Sequence, residues 1–168
     1  YAFFFGFEDV SPDAVTDKQV HTGKYAALTS GKNSFSPAFE INAKQVPFPT
    51  IKTIGLSAWV YVESTDEPLS FSLVCSIDED QKTNVLWQGI GVNNREIPLK
   101  QWIKVSGVVH LNELRLTDKH TVKVYFWNNS KSKIFSDDIL VVFSGEKERQ
   151  GVQAVCDLTE APFTPKVN

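Results

Sequence analysis

The shortness of its apolar runs constrains this chain most. No segment repeats apolar residues at helical spacing for three turns, whereas about nine or ten short runs alternate apolar and polar residues and end in turn signals. The segment Val122 to Ser144 shows the pattern best. Val122, Val124 and Phe126 make one face apolar, and Lys123, Tyr125 and Trp127 make the other amphipathic. After the turn Asn128-Asn129-Ser130 the chain returns as Ile134-Phe135 and Ile139 to Phe143, interrupted by Asp137-Asp138. Two adjacent acids in an apolar strand lose too much hydration unless a cation, water or donor meets them, so they mark a site or a strand end.

A chain of 168 residues fits one domain with a substantial core. The domain is expected over residues 1–156, with 157–168 as a tail or linker, because Pro162 and Pro165 break any strand there. A net charge of −3 with 42% hydrophobic residues and no basic stripe argues against nucleic-acid binding. Lys131 to Lys133 reads most simply as a solvated turn, with phosphate or acidic-glycan contact the lesser reading. The opening YAFFFGF is too short to insert into a membrane, and the lack of methionine suggests a trimmed, exported product or a fragment boundary. Cys75 and Cys156 are expected as buried free thiols.

Read in order, strands are expected over Tyr1 to Val10, Tyr25 to Thr29, Ser34 to Ile41, Ile51 to Glu63, Leu69 to Ile77, Val85 to Val92 and Trp102 to Leu111. Helix should be confined to short turns at Ala14 to Gln19 and Ser144 to Gly151. The spacing predicts an all-β, two-sheet sandwich, packed face to face as a jelly roll.

Five motifs in order carry a family resemblance: Gly6-Phe7-Glu8, Gly23-Lys24-Tyr25-Ala26-Ala27-Leu28, Leu56 to Val62, Gln101-Trp102-Ile103-Lys104, and Phe135-Ser136-Asp137-Asp138-Ile139. They resemble the non-catalytic carbohydrate-binding modules with a galactose-binding-like jelly-roll fold, over about residues 3 to 144. The resemblance implies a polysaccharide or other glycan as ligand, an extracellular or cell-surface setting, and membership of a larger surface or enzyme assembly. It also implies a structural calcium held by Glu8, the Lys24 carbonyl and Asp138. Calcium takes six to eight oxygen ligands, which suits two otherwise repelling carboxylates. The other reading leaves Glu8 and Asp138 as separate surface acids.

Sugars stack their C–H faces on exposed rings while polar neighbours bond the hydroxyls. Trp59 and Tyr61 share one strand face, and Tyr125 and Trp127 another; if both strands lie in one sheet, the rings form a platform. Packing is the expected state of Trp59 and Trp102, whereas Trp87 and Trp127 lie beside Gln88 and Asn128-Asn129 and are the better exposed candidates. A site in end loops would instead use Asn93, Asn94 and Arg95. Against an enzyme, His21, His110 and His120 lack metal-ligand spacing, and no phosphate loop or serine elbow occurs. A carboxylate pair drawn from Glu63, Asp78 or Asp138 is the remaining catalytic option. A structural or adhesion module without a sugar ligand is the alternative function.

Overall fold

A computed structural model describes residues 1–64, 68–92 and 97–146. Among the described residues nine strands run in order: β1 (Ala2–Phe5), β2 (Ala27–Thr29), β3 (Phe39–Asn42), β4 (Thr50–Ser64), β5 (Phe71–Glu79), β6 (Thr83–Val92), β7 (Trp102–His110), β8 (His120–Asn128) and β9 (Lys133–Glu146). They form two antiparallel sheets, one ordered β1-β9-β4-β7 with β2 also on β9, the other β3-β8-β5-β6. The expected all-β sandwich is what the chain builds.

Alternation decides which face of each strand is buried. Leu56, Ala58, Val60 and Val62 of β4 and Ile139, Val141 and Phe143 of β9 face Leu73, Cys75 and Ile77 of β5 and Val122, Val124 and Phe126 of β8. Each of the Leu, Val, Ile and Phe side chains contributes roughly 1.5 to 3 kcal/mol on leaving water. Cys75 belongs to this core, and burial pushes its thiol up to about 12. Cys156, the loop at Asn93 to Arg95 and the expected tail lie outside the described residues.

Three expectations need correction. The first strand ends at Phe5 and not at Val10, because Phe7 turns into the left-handed region (φ 64°) to bury its ring completely. Glu8 therefore sits in an exposed turn rather than on a buried strand. Among the described residues the short helical turns are Pro12–Ala14 and Ala43–Gln45, and residues 147–151 of the second expected turn lie outside them. The Ala43–Gln45 turn was not foreseen, although Asn42 caps it and Gln45 closes a capping box; Ser144 to Glu146 remains in β9.

The third correction concerns Asp137-Asp138, which ends no strand. Ser57 pairs with Leu140 and Trp59 with Asp137, so one residue of β4 faces two of β9. This is a β-bulge, and Asp138 takes the left-handed φ of 52° that such an extra residue permits. Inward positions of β9 accordingly change from Ile134 and Ser136 before the bulge to Ile139, Val141 and Phe143 after it. β1 pairs with residues 139–142 and β2 with 134–136 on the same edge of β9. The bulge fills the gap between them, where the excursion from Gly6 to Ala26 leaves and returns.

Candidate functional site

The outer face of the β3-β8-β5-β6 sheet carries a group of exposed rings, separate from Tyr1 and Phe4, which are exposed at β1 of the other sheet. Tyr125 and Trp127 alternate out of β8 opposite the buried Val124 and Phe126, and Ser72 and Val74 of β5 lie beside them in register. Trp87 rises from β6, 50% exposed, and donates its indole N–H to the Tyr125 hydroxyl at 3.1 Å. Its ring meets Trp127 edge-on, with centroids 5.7 Å apart. Phe35, 53% exposed, completes the group: the ladder bridge between Phe35 and Trp127 brings the rings parallel within 9°, with centroids 6.3 Å apart.

Beside the rings the floor is bare. Gly89 lies opposite Val74 and Gly91 opposite Ser72, so the outward positions of β6 after Trp87 carry no side chain. A Cβ at Gly89 would come within 3.3 Å of the Trp87 ring and 3.2 Å of Ser72 Cβ, so glycine lets the indole lie along its own strand. Further along the face the surface becomes polar, with Lys123 bridging Asp78 at 3.2 Å and Glu40 at 3.8 Å. The arrangement offers apolar ring faces, an indole N–H fixed by a phenol and hydroxyls at the margin, which suits a ligand that is apolar on its faces and polar at its edges.

The structure separates the two aromatic pairs. Trp59 and Tyr61 project from β4, in the other sheet, so no single platform of four rings forms. His21 stacks on Trp59, with centroids 4.2 Å apart and planes within 16°, and Tyr61 packs against Trp102 and Phe135. Trp59 and Trp102 are thus half-buried against His21 of the Gly6 to Ala26 excursion, and Tyr61 is half-buried against strand neighbours. Sequence reading missed Phe35. Its one signal was a lone aromatic between two serines in an expected strand.

The calcium candidates meet the same excursion. Glu8 Oε1 accepts the backbone N–H groups of Lys24 (2.8 Å) and Tyr25 (3.2 Å). Asp137, fully buried, accepts those of His21 (2.9 Å), Thr22 (3.2 Å) and Asp138 (2.8 Å). Burial raises its pKa above the ordinary 3.8; these bonds pull it back, and the neighbouring Asp138 charge pushes it up. Asp138 binds the His21 ring Nδ1 and the Thr22 hydroxyl, each at 2.6 Å. The acids thus supply hydrogen bonds that strand pairing cannot supply across the gap in β9.

In kind, these donors suit calcium: three carboxylates and a hydroxyl surround one turn. In arrangement they do not form a cage. Among the described residues no three His, Cys, Asp or Glu side chains converge as a metal group, and calcium would have to take Asp138 from His21 and Glu8 from two amides.

Gly23, at the centre of this turn, has a φ of 69°, and a Cβ there would collide with Glu8 Oε1. Gly23→Ala is expected to cost about 1 to 2 kcal/mol of stability. An unchanged denaturant midpoint would contradict that role.

The three carboxylates considered for catalysis are apart. Asp78 belongs to the ring-bearing sheet and pairs with Lys123, Glu63 to the other sheet with Lys133, and Asp138 to the bulge with His21.

No protein-family model matches the chain, and no curated protein matches it. Solved structures do. The CBM22-2 xylan-binding domain of Paenibacillus barcinonensis Xyn10C is 13% identical with a TM-score of 0.56, over 84% of this chain and 99% of that domain. The CBM22-1 xylan-binding domain of the same protein is 13% identical with a TM-score of 0.54, over 86% of this chain and 94% of that one. The C-terminal family 22 carbohydrate binding module of Clostridium thermocellum Xyn10B is 11% identical with a TM-score of 0.51, over 86% and 82%. At this identity the likeness establishes a shared β-sandwich fold, the one that the resemblance in the sequence implies.

Proposed function

We propose that this domain binds a glycan without cleaving it, on the face formed by Trp87, Tyr125, Trp127 and Phe35. The observation that carries this reading is an exposed, mutually braced group of rings beside a floor of glycines and serines. A monomeric domain gains nothing in folding from leaving two large rings half in water, whereas a sugar face gains stacking area from rings already fixed in place. The xylan-binding domains that share the fold support a polysaccharide as the ligand. An extracellular or cell-surface setting, alongside a catalytic or surface partner, belongs to the same proposal.

A glycan array followed by titration calorimetry is the direct test. Saturable binding without release of products is the expected result. Turnover of a bound oligosaccharide would make the domain an enzyme, and absence of binding across the array would leave the structural or adhesion module as the reading.

Calcium is proposed as a structural ligand of Glu8, the Lys24 carbonyl and Asp138, competing with the hydrogen bonds described above. An ion bound only by the native state raises stability with the logarithm of its concentration. Chelator-stripped protein should therefore melt higher as calcium is added. A Tm unmoved by millimolar calcium would leave these acids as hydrogen-bond acceptors alone.

A further inference from the structure

Trp87 heads a row of side chains that crosses the whole ring-bearing sheet. Ladder pairing sets Trp87 of β6 opposite Ser76 of β5, Ser76 opposite Lys123 of β8, and Lys123 opposite Glu40 of β3. The last three share the outer face, since their sequence neighbours Ile77, Val122, Val124 and Ile41 are buried in the core. Lys123 stands two residues before Tyr125 on the same face of β8, a spacing of about 7 Å, so the row borders the rings directly.

The charges of this row are held in place. Asp78, one position further along β5 on the same face, is 19% exposed and fixed through both oxygens: Oδ1 accepts from the Asn84 amide at 2.9 Å, and Oδ2 meets the Lys123 ammonium at 3.2 Å. The same amide donates to the Ser76 hydroxyl at 2.9 Å. Glu40, the most exposed of the group, lies 3.8 Å from Lys123 on its other side. Two carboxylates against one ammonium leave one net negative charge beside the rings. Thr121 and Asn42, in register with Asp78, lead on to a surface pocket of about 280 Å³ whose charged lining, Asp80, Asp118 and Lys119, is negative by one more.

We propose that the Glu40–Lys123–Asp78 group sets the charge selectivity of the ring face: its carboxylates accept hydroxyl groups from an uncharged sugar chain and turn away chains that carry a uronate or a sulfate ester. The inference rests on the binding reading above. A carboxylate has about four acceptor positions, so Asp78 and Glu40 can take sugar hydroxyls while Lys123 and Asn84 hold them. A uronate or sulfate offers these acids no donor and brings a like charge within the roughly 10 Å over which charges act at 0.1 M salt. Lys123 is a positioning residue here, which fixes both acids and cancels one of their charges.

The test titrates three probes at low and high salt: xylohexaose, xylohexaose with a glucuronic acid branch, and the methyl ester of that branched chain, which keeps the branch and removes its charge. The ester is expected to bind about two to five times more tightly than the acid at low salt, the scale of one exposed charge pair. The gap should close as ionic strength shortens the screening length. Charge variants should move the ratio in opposite directions. Lys123→Gln adds to the net negative charge and should widen the gap, whereas Glu40→Gln/Asp78→Asn leaves the ammonium alone and should invert it, so that the acid binds more tightly than the ester. Glu40→Gln by itself should bring the two probes level without moving Tm. Each ratio is taken within one variant, so a general loss of affinity cancels. Equal binding of acid and ester by the parent at low salt, or a ratio that the variants leave unmoved, would overturn the selectivity but leave glycan binding standing. Where none of the three probes binds, the glycan array decides: hits confined to uncharged glycans support the group's role, acidic hits overturn it, and an empty array removes both readings.

Discussion

Replacement of Asp137 by alanine is expected to lower stability by about 2 to 4 kcal/mol, read as a shift of the denaturant midpoint at constant slope. Three backbone N–H groups, on His21, Thr22 and Asp138, donate to this one carboxylate, and each would be left without its acceptor where β1 and β2 leave β9 unpaired. The loss is partly offset, because a carboxylate whose burial raises its pKa is itself held at a cost. Asp137→Asn separates the two contributions, since it keeps one acceptor oxygen and removes the charge; it should cost less than alanine. The pH dependence has a definite sign. A folded-state pKa above the unfolded 3.8 means that the native state holds this proton more tightly, so stability from this group falls as pH rises through that window and then levels off. Asp137→Asn should remove that decline when both proteins are measured without calcium. An alanine variant as stable as the parent would show that the excursion needs no anchoring by this side chain.

The second large effect concerns binding. Trp127→Ala should weaken glycan affinity by about 1 to 3 kcal/mol, roughly five- to more than a hundredfold in Kd. Trp127 is the ring that braces the others: Phe35 lies parallel to it and Trp87 meets its edge. Its removal deletes one stacking surface and frees two more. Trp87→Ala should lose less, because Tyr125 and Trp127 remain packed from β8. Trp59→Ala is the control, since its ring lies on the other sheet against His21, and it should alter stability without altering affinity. Calorimetry on folded variants, checked by near-UV circular dichroism, measures all three. Equal losses at Trp59 and Trp127 would mean that the effect is general destabilisation.

The fold was legible because alternation is local: Leu56 to Val62 and Val122 to Trp127 announce strand and buried face without reference to any partner. The site was legible only in part, because pairing is not local. Nothing in either segment says that β4 and β8 belong to different sheets, so the two aromatic pairs could be joined on paper and are apart in the molecule. Asp137-Asp138 stood out as an energetic anomaly, yet its resolution needed β4, since a bulge exists only as a mismatch between two strands. Phe35 lay in an expected strand of which only Phe39 to Ile41 pair regularly, the ring itself being placed by an isolated bridge to Trp127, and no spacing rule marks such a residue.

The bulge at Asp138 also sets where β9 tolerates a change of length. Because Asp138 is surplus to the ladder, deleting it would leave Ser136 and Ile139 facing inward and let Ile139 lie opposite Ala58 in a regular strand. Deleting Leu140 instead would be a frameshift in the sheet: Val141 and Phe143 would turn to solvent, and Val142 would turn into a core shaped for its neighbours. Loss of Asp138 removes a carboxylate and its bonds to His21 and Thr22 but keeps the strand beyond it, so among relatives of this chain single-residue insertions and deletions in β9 should gather at the bulge.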